Sequence, residues 1–360
     1  MKTIVQIVQH LRPGGIETMA LDLHSIFHNQ GHKSYIISLE GDLNTALTIW
    51  PRLDKYNQNI FFLDKPGKFS LAFLIKLIRV LNNLGITVLH THHIGPLLYG
   101  GISAMFVHPS VYIHTEHDAW HLENTHHRAL QKWLLRLTKP ILVADAVSVG
   151  IALRKYLNPQ NLTIIPNGID TGKFILGDQP RARAVLNLPR DKKIIGCSGR
   201  LESLKGQKLL IQSLIHLEDT VHVALAGIGS YEESLREETQ SLGLSERVHF
   251  LGRIDDMPVF YQALDCFCLP SFKEGMPLSP LEAQSCGIPS IVTDVGGSKE
   301  CLCSYTGTLI PAGNVMAIVD AVRRALVQPL IKSPRVFVQQ HAGIQQMATA
   351  YSELHHSTIF

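Results

Sequence analysis

Apolar positions along the 360-residue chain follow two rhythms. Short, nearly continuous apolar runs such as TIVQIVQ at 3–9 read as buried strands, while recurrence every three or four positions, as for Met19, Leu23 and Phe27 within Ile16 to His28, reads as a helix. In the first half, strands are predicted at residues 3–9, Tyr35 to Leu39, Ile60 to Leu63, Thr87 to His90 and Val143 to Ser148, separated by helical stretches such as Phe69 to Leu84. A second series begins at Lys193. IIGCSGRLESLKGQKLLIQSL and VHVALAGIGSYEESLREETQSLG each give a strand, a glycine turn and a helix, followed by VHFLG, DCFCLPS, Ser290 to Thr293 and a helix over Val315 to Val327. Strands alternating with helices imply parallel pairing, so the expected class is α/β: two Rossmann-like, doubly wound domains facing across a cleft at their strand carboxyl ends. The expected boundaries are 1–175 and 190–327. Thr171 to Arg190, rich in Gly, Pro, Asp and Arg, is expected to link them, and 328–360 is expected as a helical tail packing back on the first domain.

Composition narrows the class. With 45% hydrophobic and 18% charged residues the chain is neither disordered nor fibrous. No apolar run reaches bilayer length, since Phe69 to Val80 is interrupted by Lys76 and Arg79. MKTIVQIVQHLRPGG carries no long apolar segment and no small-residue cleavage site, so a cytoplasmic location is expected, with reduced thiols at all six cysteines. Cys266 and Cys268 alternate in a strand-like run, which favours buried small hydrophobes over zinc ligands. The net charge of +3 is concentrated in the first half, where an acidic or membrane-surface partner is expected rather than a nucleic acid.

Candidate chemistry concentrates in Pro270 to Gly297, PSFKEGMPLSPLEAQSCGIPSIVTDVGG. Ser279-Pro280-Leu281-Glu282 reads as a helix start with Ser279 as its cap, which places Glu274 in the loop ahead of a positive helix end. The same residues satisfy a capping box, which by itself makes Glu282 a helix-stabilising residue. Gly14-Gly15 before the first helix allows close backbone approach to an anion, or is a plain tight turn. Arg200 and Lys205 in GRLESLKG suit a diphosphate, or are an exposed basic pair. His90, His92, His93, His114 and His117 gather where strands end, as metal ligands or as rings packed around a polar ligand. Arg128, Lys132, Arg136 and Lys139 alternate with Leu130, Trp133, Leu134 and Leu137, giving a basic amphipathic helix: a solvated face over a buried stripe, or a surface for anionic membrane.

The Gly14-Gly15 loop, IPNGID at 165–170, GRLESLKG at 199–206, LAGIGSYEESL at 225–235, VHFLGRI at 248–254 and EGMPLSPLEAQSCGIPSIVTDVGG at 274–297 together resemble a retaining glycosyltransferase of the GT-B fold, family 4. The resemblance covers about the first 325 residues and rests above all on two glutamates with seven residues between them, Glu274 and Glu282. It implies that Arg200, Lys205, Gly15 and the loop of Met276, Pro277 and Leu278 neutralise the donor diphosphate. It further implies that Glu274 orients the donor sugar, that Glu282 holds the ribose, that the main chain near Arg253 and Ile254 meets the base, and that His117 lies beside the reacting sugar. The implied reaction moves a sugar from a nucleotide sugar, expected to be a UDP sugar, to a glycan or lipid-linked acceptor in cell-envelope polysaccharide synthesis, without cofactor or metal. Peripheral membrane contact is expected through Arg128, Lys132 and Arg136. A GT-B epimerase and a non-catalytic nucleotide-sugar-binding protein are the alternatives; a phosphorylase would need a pyridoxal lysine that the sequence does not identify.

Overall fold

The computed structural model describes residues 1–328 and 332–356. The chain divides into two compact units, one of Met1–Gly168 plus the segment from Ile344 onward, the other of Ile169–Gly343. It therefore passes between units twice.

In the first unit the elements are β1 (Thr3–Val8), α1 (Gly15–Asn29), β2 (Lys33–Ser38), α2 (Leu43–Ile49), β3 (Ile60–Phe62), α3 (Leu71–Leu84), β4 (Val88–His92), α4 (Ile94–Val107), β5 (Val111–Glu116), α5 (Thr125–Thr138), β6 (Ile141–Ala144), α6 (Val147–Leu157) and β7 (Thr163–Ile164). Its seven strands are parallel, in the order β3-β2-β1-β4-β5-β6-β7. Alternation along β1 sends Val5 and Ile7 to one face, against Leu74, Leu77, Leu81 and Leu97 of α3 and α4. Ile4 goes to the other face with Met19, Leu23 and Phe27 of α1. Both faces are covered, which is why the strands read as continuous apolar runs.

The second unit has α7 (Gln179–Val185), β8 (Lys193–Ser198), α8 (Gln207–Ser213), β9 (Val221–Ala226), α9 (Glu232–Ser241), β10 (Val248–Gly252), α10 (Met257–Gln262), β11 (Cys266–Leu269), α11 (Ser279–Ser285), β12 (Ser290–Thr293), β13 (Thr308–Ile310), α12 (Val315–Val327) and α13 (Pro334–His341). The last helix, α14 (Ile344–Leu354), belongs to the first unit. The six strands are parallel in the order β10-β9-β8-β11-β12-β13. All six cysteines are free and buried, and burial pushes the Cys197 thiol up to about 12.

Four expectations need correction. Thr171 to Arg190 is not a linker but part of the second unit: Asp178 caps α7 by accepting from Arg181 N at 3.1 Å, and buried Arg183 donates to Asp265 at 2.6 Å and to Ala263 O at 2.9 Å. Its charged composition serves a buried ion pair, which composition alone does not distinguish from a solvated segment. The strand expected at Val143 to Ser148 is Ile141–Ala144, and Val147 already opens α6. Ser279 is the first residue of α11, after Leu278 at the cap, and makes no capping hydrogen bond, so no capping box forms. Within the expected tail, α13 stays with the second unit: Arg335 donates to Thr171 O at 2.7 Å and Ser285 O at 2.8 Å. Only α14 packs on the first, placing Met347 and Tyr351 in the α1 face of its core. Residues 329–331 and 357–360 of that tail lie outside the described residues.

Candidate functional sites of the two units

Each sheet reverses its strand order once, between β1 and β4 in the first unit and between β8 and β11 in the second. Beyond the carboxyl ends of such strands open α/β sheets bind their ligands.

In the second unit these ends are closed by turns whose main chains touch. Gly199 N donates to Ala226 O at 3.0 Å, Gly227 N to Gly252 O at 2.7 Å, Phe272 N to Leu204 O at 2.8 Å and Gly297 N to Gly275 O at 2.6 Å. Two glycines are required by this crowding. Gly206 (φ +70°) sits where a Cβ would strike the carbonyl of Pro270, and Gly296 (φ +52°) where it would strike that of Glu274. The fit brings together two residues far apart in sequence: Lys205 Nζ lies 2.7 Å from Glu274 Oε1, which also accepts from Ser271 Oγ at 2.6 Å. Glu274 is buried, and Lys205 is its partner across the β8/β11 switch. Glu282 is half-buried on α11 and accepts from Tyr261 OH at 2.5 Å; Ser198 Oγ lies 3.0 Å from the same hydroxyl. Burial first, then the charge of Glu282, drives the Tyr261 phenol well above its usual range, so it stays a donor to that carboxylate.

Met276 and Pro277 are buried and Leu278 half-buried in the loop before α11. Arg200 and Arg253 are exposed and pair with nearby loop carboxylates, Glu202 at 2.9 Å and Asp255 at 3.2 Å. An exposed pair such as Arg200–Glu202 is weak, and exchanges readily for a stronger anion. Ile254 follows the irregular end of β10 at Gly252 (φ +63°). Gly15 belongs to the first unit, exposed at the start of α1. In that same first turn Glu17 is buried, 3.2 Å from His10 Nδ1, so the chain's own carboxylate already occupies the positive end of the helix.

The histidines of the first unit stand on the sheet rather than after it. His90 and His92 lie within β4 and His114 within β5, all fully buried. His117 follows β5, also buried, with Nε2 3.1 Å from His92 Nδ1 and Nδ1 3.1 Å from Asp145 Oδ2. Asn167, from the IPNGID turn, donates to the same Oδ2 at 2.8 Å. His92 Nε2 lies 3.3 Å from Gln6 Oε1, so the network runs over the ends of β4, β5, β6 and β7 to a side chain of β1. Beside it, His114 Nε2 lies 2.7 Å from Glu116, and His90 Nε2 lies 2.7 Å from Thr115, which is 3.0 Å from Tyr351 OH of α14. Burial lowers His90 and His92 far below the usual imidazole range. His121 goes the other way: burial opposes its charge, but Asp118, Glu116 and Gln131 outweigh it and raise it to about 9. His93 caps α4 at φ +70°, ψ 169°, a conformation almost confined to glycine, with its ring 5.5 Å from that of His117. Among the described residues no group of three or more His, Cys, Asp or Glu is arranged to hold a metal ion. His92 and His117 bond to each other, and the ring centroids of His90 and His92 lie 4.1 Å apart.

Sequence reasoning missed Tyr261, Asp145 and Asn167. Asp145 directly follows a strand, and Asn167 stands in a turn motif already singled out, so position at strand ends is the signal that points to them. On α5 only Gln131 and Leu134 are buried; Leu130, Trp133 and Leu137 face outward beside Arg136, so the expected apolar stripe is largely exposed.

Residues 13–173 match the family model Glycosyltransferase Family 4 and residues 178–342 the model Glycosyl transferases group 1. The two parts of the chain thus each match a glycosyltransferase domain model, and its fold is GT-B. It superposes on the crystal structure of Anabaena Alr3699/HepE in complex with UDP and glucose with a TM-score of 0.86, at 18% identity, covering 98% of this chain and 99% of that one. Its sequence is 34% identical to the lipopolysaccharide core biosynthesis mannosyltransferase LpsB of Rhizobium meliloti (strain 1021), over 54% of this chain and 57% of that protein. It is 29% identical to the UDP-Gal:alpha-D-GlcNAc-diphosphoundecaprenol alpha-1,3-galactosyltransferase of Escherichia coli, over 71% of this chain and 70% of that protein. The match thus spans little more than half the length of the first of these relatives.

Proposed function

We propose that the protein is a retaining glycosyltransferase that moves a sugar from a UDP sugar to a glycan or lipid-linked acceptor of the cell envelope. The observation that carries this reading is the Lys205–Glu274 pair, set among glycine turns at the strand switch of a Glycosyl transferases group 1 domain. A nucleoside diphosphate brings negative charge to such main-chain N–H groups, and Lys205, Arg200 and the backbone of Met276, Pro277 and Leu278 supply the complement. As Lys205 turns toward phosphate, Glu274 is released to accept from the hydroxyls of the donor sugar. Glu282, oriented by Tyr261, accepts from the ribose, and the main chain at Arg253 and Ile254 meets the base. The resemblance assigns His117 to the sugar that reacts, and the leaving diphosphate takes the acceptor proton, so no metal or separate base is needed. A UDP donor and an envelope acceptor are supported by the names of the relatives, among them a UDP-galactose enzyme and a lipopolysaccharide mannosyltransferase.

The test is a thermal-shift screen of nucleotide sugars, since a donor that binds only the native state stabilises it by about 2.7 kcal/mol at one hundred times its Kd. Stabilisation by a UDP sugar and by UDP, followed by product with retained anomeric configuration, is the expected result; stabilisation without turnover against any glycan or lipid-linked acceptor supports the non-catalytic binding protein instead. The exposed Leu130, Trp133 and Leu137 beside Lys132 and Arg136, with Arg128 one turn earlier, favour peripheral contact with an anionic membrane. Among the described residues no helix is long and apolar enough to cross one. Replacing Arg128, Lys132 and Arg136 by Glu is expected to abolish sedimentation with vesicles containing phosphatidylglycerol; unchanged sedimentation refutes this contact.

A further inference from the structure

The network around His117 has more hydrogen bonds than two neutral imidazoles have protons. Gln6 Nε2 donates to Ala20 O at 2.8 Å, and because a carbonyl only accepts, this fixes which end of the amide is which. Its Oε1 therefore faces His92 Nε2 at 3.3 Å as a pure acceptor. At the far end Asp145 Oδ2 faces His117 Nδ1 at 3.1 Å, again as an acceptor when ionised, and between the rings His92 Nδ1 meets His117 Nε2 at 3.1 Å. Three hydrogen bonds between two terminal acceptors need three protons, and two neutral rings carry two.

We propose that Asp145 is the positioning residue of His117 and that it anchors this third proton, so that both nitrogens of His117 are held in N–H···acceptor or acceptor···H contacts and neither offers a free lone pair. The surroundings agree. Asp145 Oδ1 has no hydrogen-bond partner among the described residues, a costly situation for a full negative charge in a buried site and a tolerable one for a carboxyl that shares a proton. Burial accordingly raises the Asp145 carboxyl above its ordinary range, against the opposing pull of His117 and Asn167. The imidazole of His117 is then a fixed ring that presents an oriented edge, not a general base. The proton count stands without reference to any reaction; the positioning role rests on the glycosyltransferase reading.

Long-range nitrogen–proton spectra of the histidine rings test the count on the unaltered protein at pH 7.5. The proposal requires three protons on the four ring nitrogens of His92 and His117, or two with the Asp145 carboxyl protonated as shown by its carboxyl carbon shift. Two ring protons beside an ionised Asp145 overturn it. For positioning, Asp145→Ala is expected to lower kcat on the order of 10²-fold while the donor KM stays within about twofold. Asp145→Asn, whose side-chain oxygen can still accept from both His117 Nδ1 and Asn167 Nδ2 and so hold the ring, is expected to recover most of that loss. An unchanged kcat in Asp145→Ala refutes positioning. Absence of transfer by the unaltered protein with every donor refutes the glycosyltransferase reading and leaves the proton count, which the spectra decide even if Asp145→Ala fails to fold.

Discussion

At the carboxyl ends of β1 and β4 the first unit sets imidazoles, amides and carboxylates that are buried and bonded to one another. At the ends of β8 and β11 the second unit sets glycine turns, one buried carboxylate and cations that reach solvent. The sheets share a winding and differ in what covers the switch. A site built from main-chain N–H groups needs glycine to let a ligand approach, and leaves its charges free to exchange partners when an anion arrives. A site built from buried side chains bonds most of its polar atoms to one another, and gains orientation instead. On the proposed reading the first unit supplies a positioning surface and the second an anion cradle.

The difference can be broken experimentally, and the largest effect belongs to the second unit. Glu274→Ala is expected to cost about 10² to 10³-fold in transfer at saturating donor, followed by product formation. Turnover within about tenfold of the unaltered protein would remove Glu274 from the chemistry and make its bond to Lys205 merely structural.

Acid should act on the first unit ahead of the second. Burial, aided by neighbouring cations, holds His24, His93 and His355 down at about 4, so folding keeps these rings neutral where the unfolded chain would charge them. A depressed imidazole contributes stability that is fully present above its unfolded value of 6.5 and is lost as the pH falls toward about 4. Every tenfold loss of proton affinity on folding corresponds to about 1.4 kcal/mol, and His90 and His92, which burial lowers well below the usual range, act in the same direction. His121 has the opposite sign: raised to about 9, it contributes below 6.5 and loses that contribution as the pH rises through about 9. In the second unit burial lowers His222 and His249, which stack on each other in β9 and β10. Peptide-resolved hydrogen exchange at pH 7.5 and 4.5 should show protection lost first around β4 and β5; simultaneous loss in β8 and β11 would erase the distinction.

A smaller effect is a pair of glycine exchanges with opposite signs. Gly296→Ala forces a side chain into the carbonyl of Glu274 and should destabilise the second unit by about 2 kcal/mol. His93→Gly releases a strained backbone and should stabilise the first by about 1 kcal/mol, while slowing transfer through loss of the ring beside His117. Urea titration reads both; destabilisation by His93→Gly would mean that its ring contributes more packing than its backbone costs.

Much of this was legible in the chain, and the reasons are local. The parallel sheets follow from apolar runs alternating with helical periodicity, and Glu274, Glu282, Arg200 and Lys205 stand in glycine-rich loops whose residue types already suggest an anion. Arg183 shows where local reading fails: its segment has the composition of a linker, yet its guanidinium pairs with Asp265 inside the second unit. The first helical turn at Ser279 likewise satisfies the capping pattern, but the chain enters the helix one residue earlier, through Leu278.

What the sequence by itself determined is therefore the winding of two α/β sheets and the residue types at their strand ends, because periodicity and turn chemistry act over a few residues. The tertiary structure alone decided the pairs: Lys205 with Glu274, Tyr261 with Glu282, His117 between His92 and Asp145, and Tyr351 beneath Thr115. Each joins atoms separated by at least twenty-one positions along the chain, and only the order of strands in the sheets brings them within hydrogen-bonding distance.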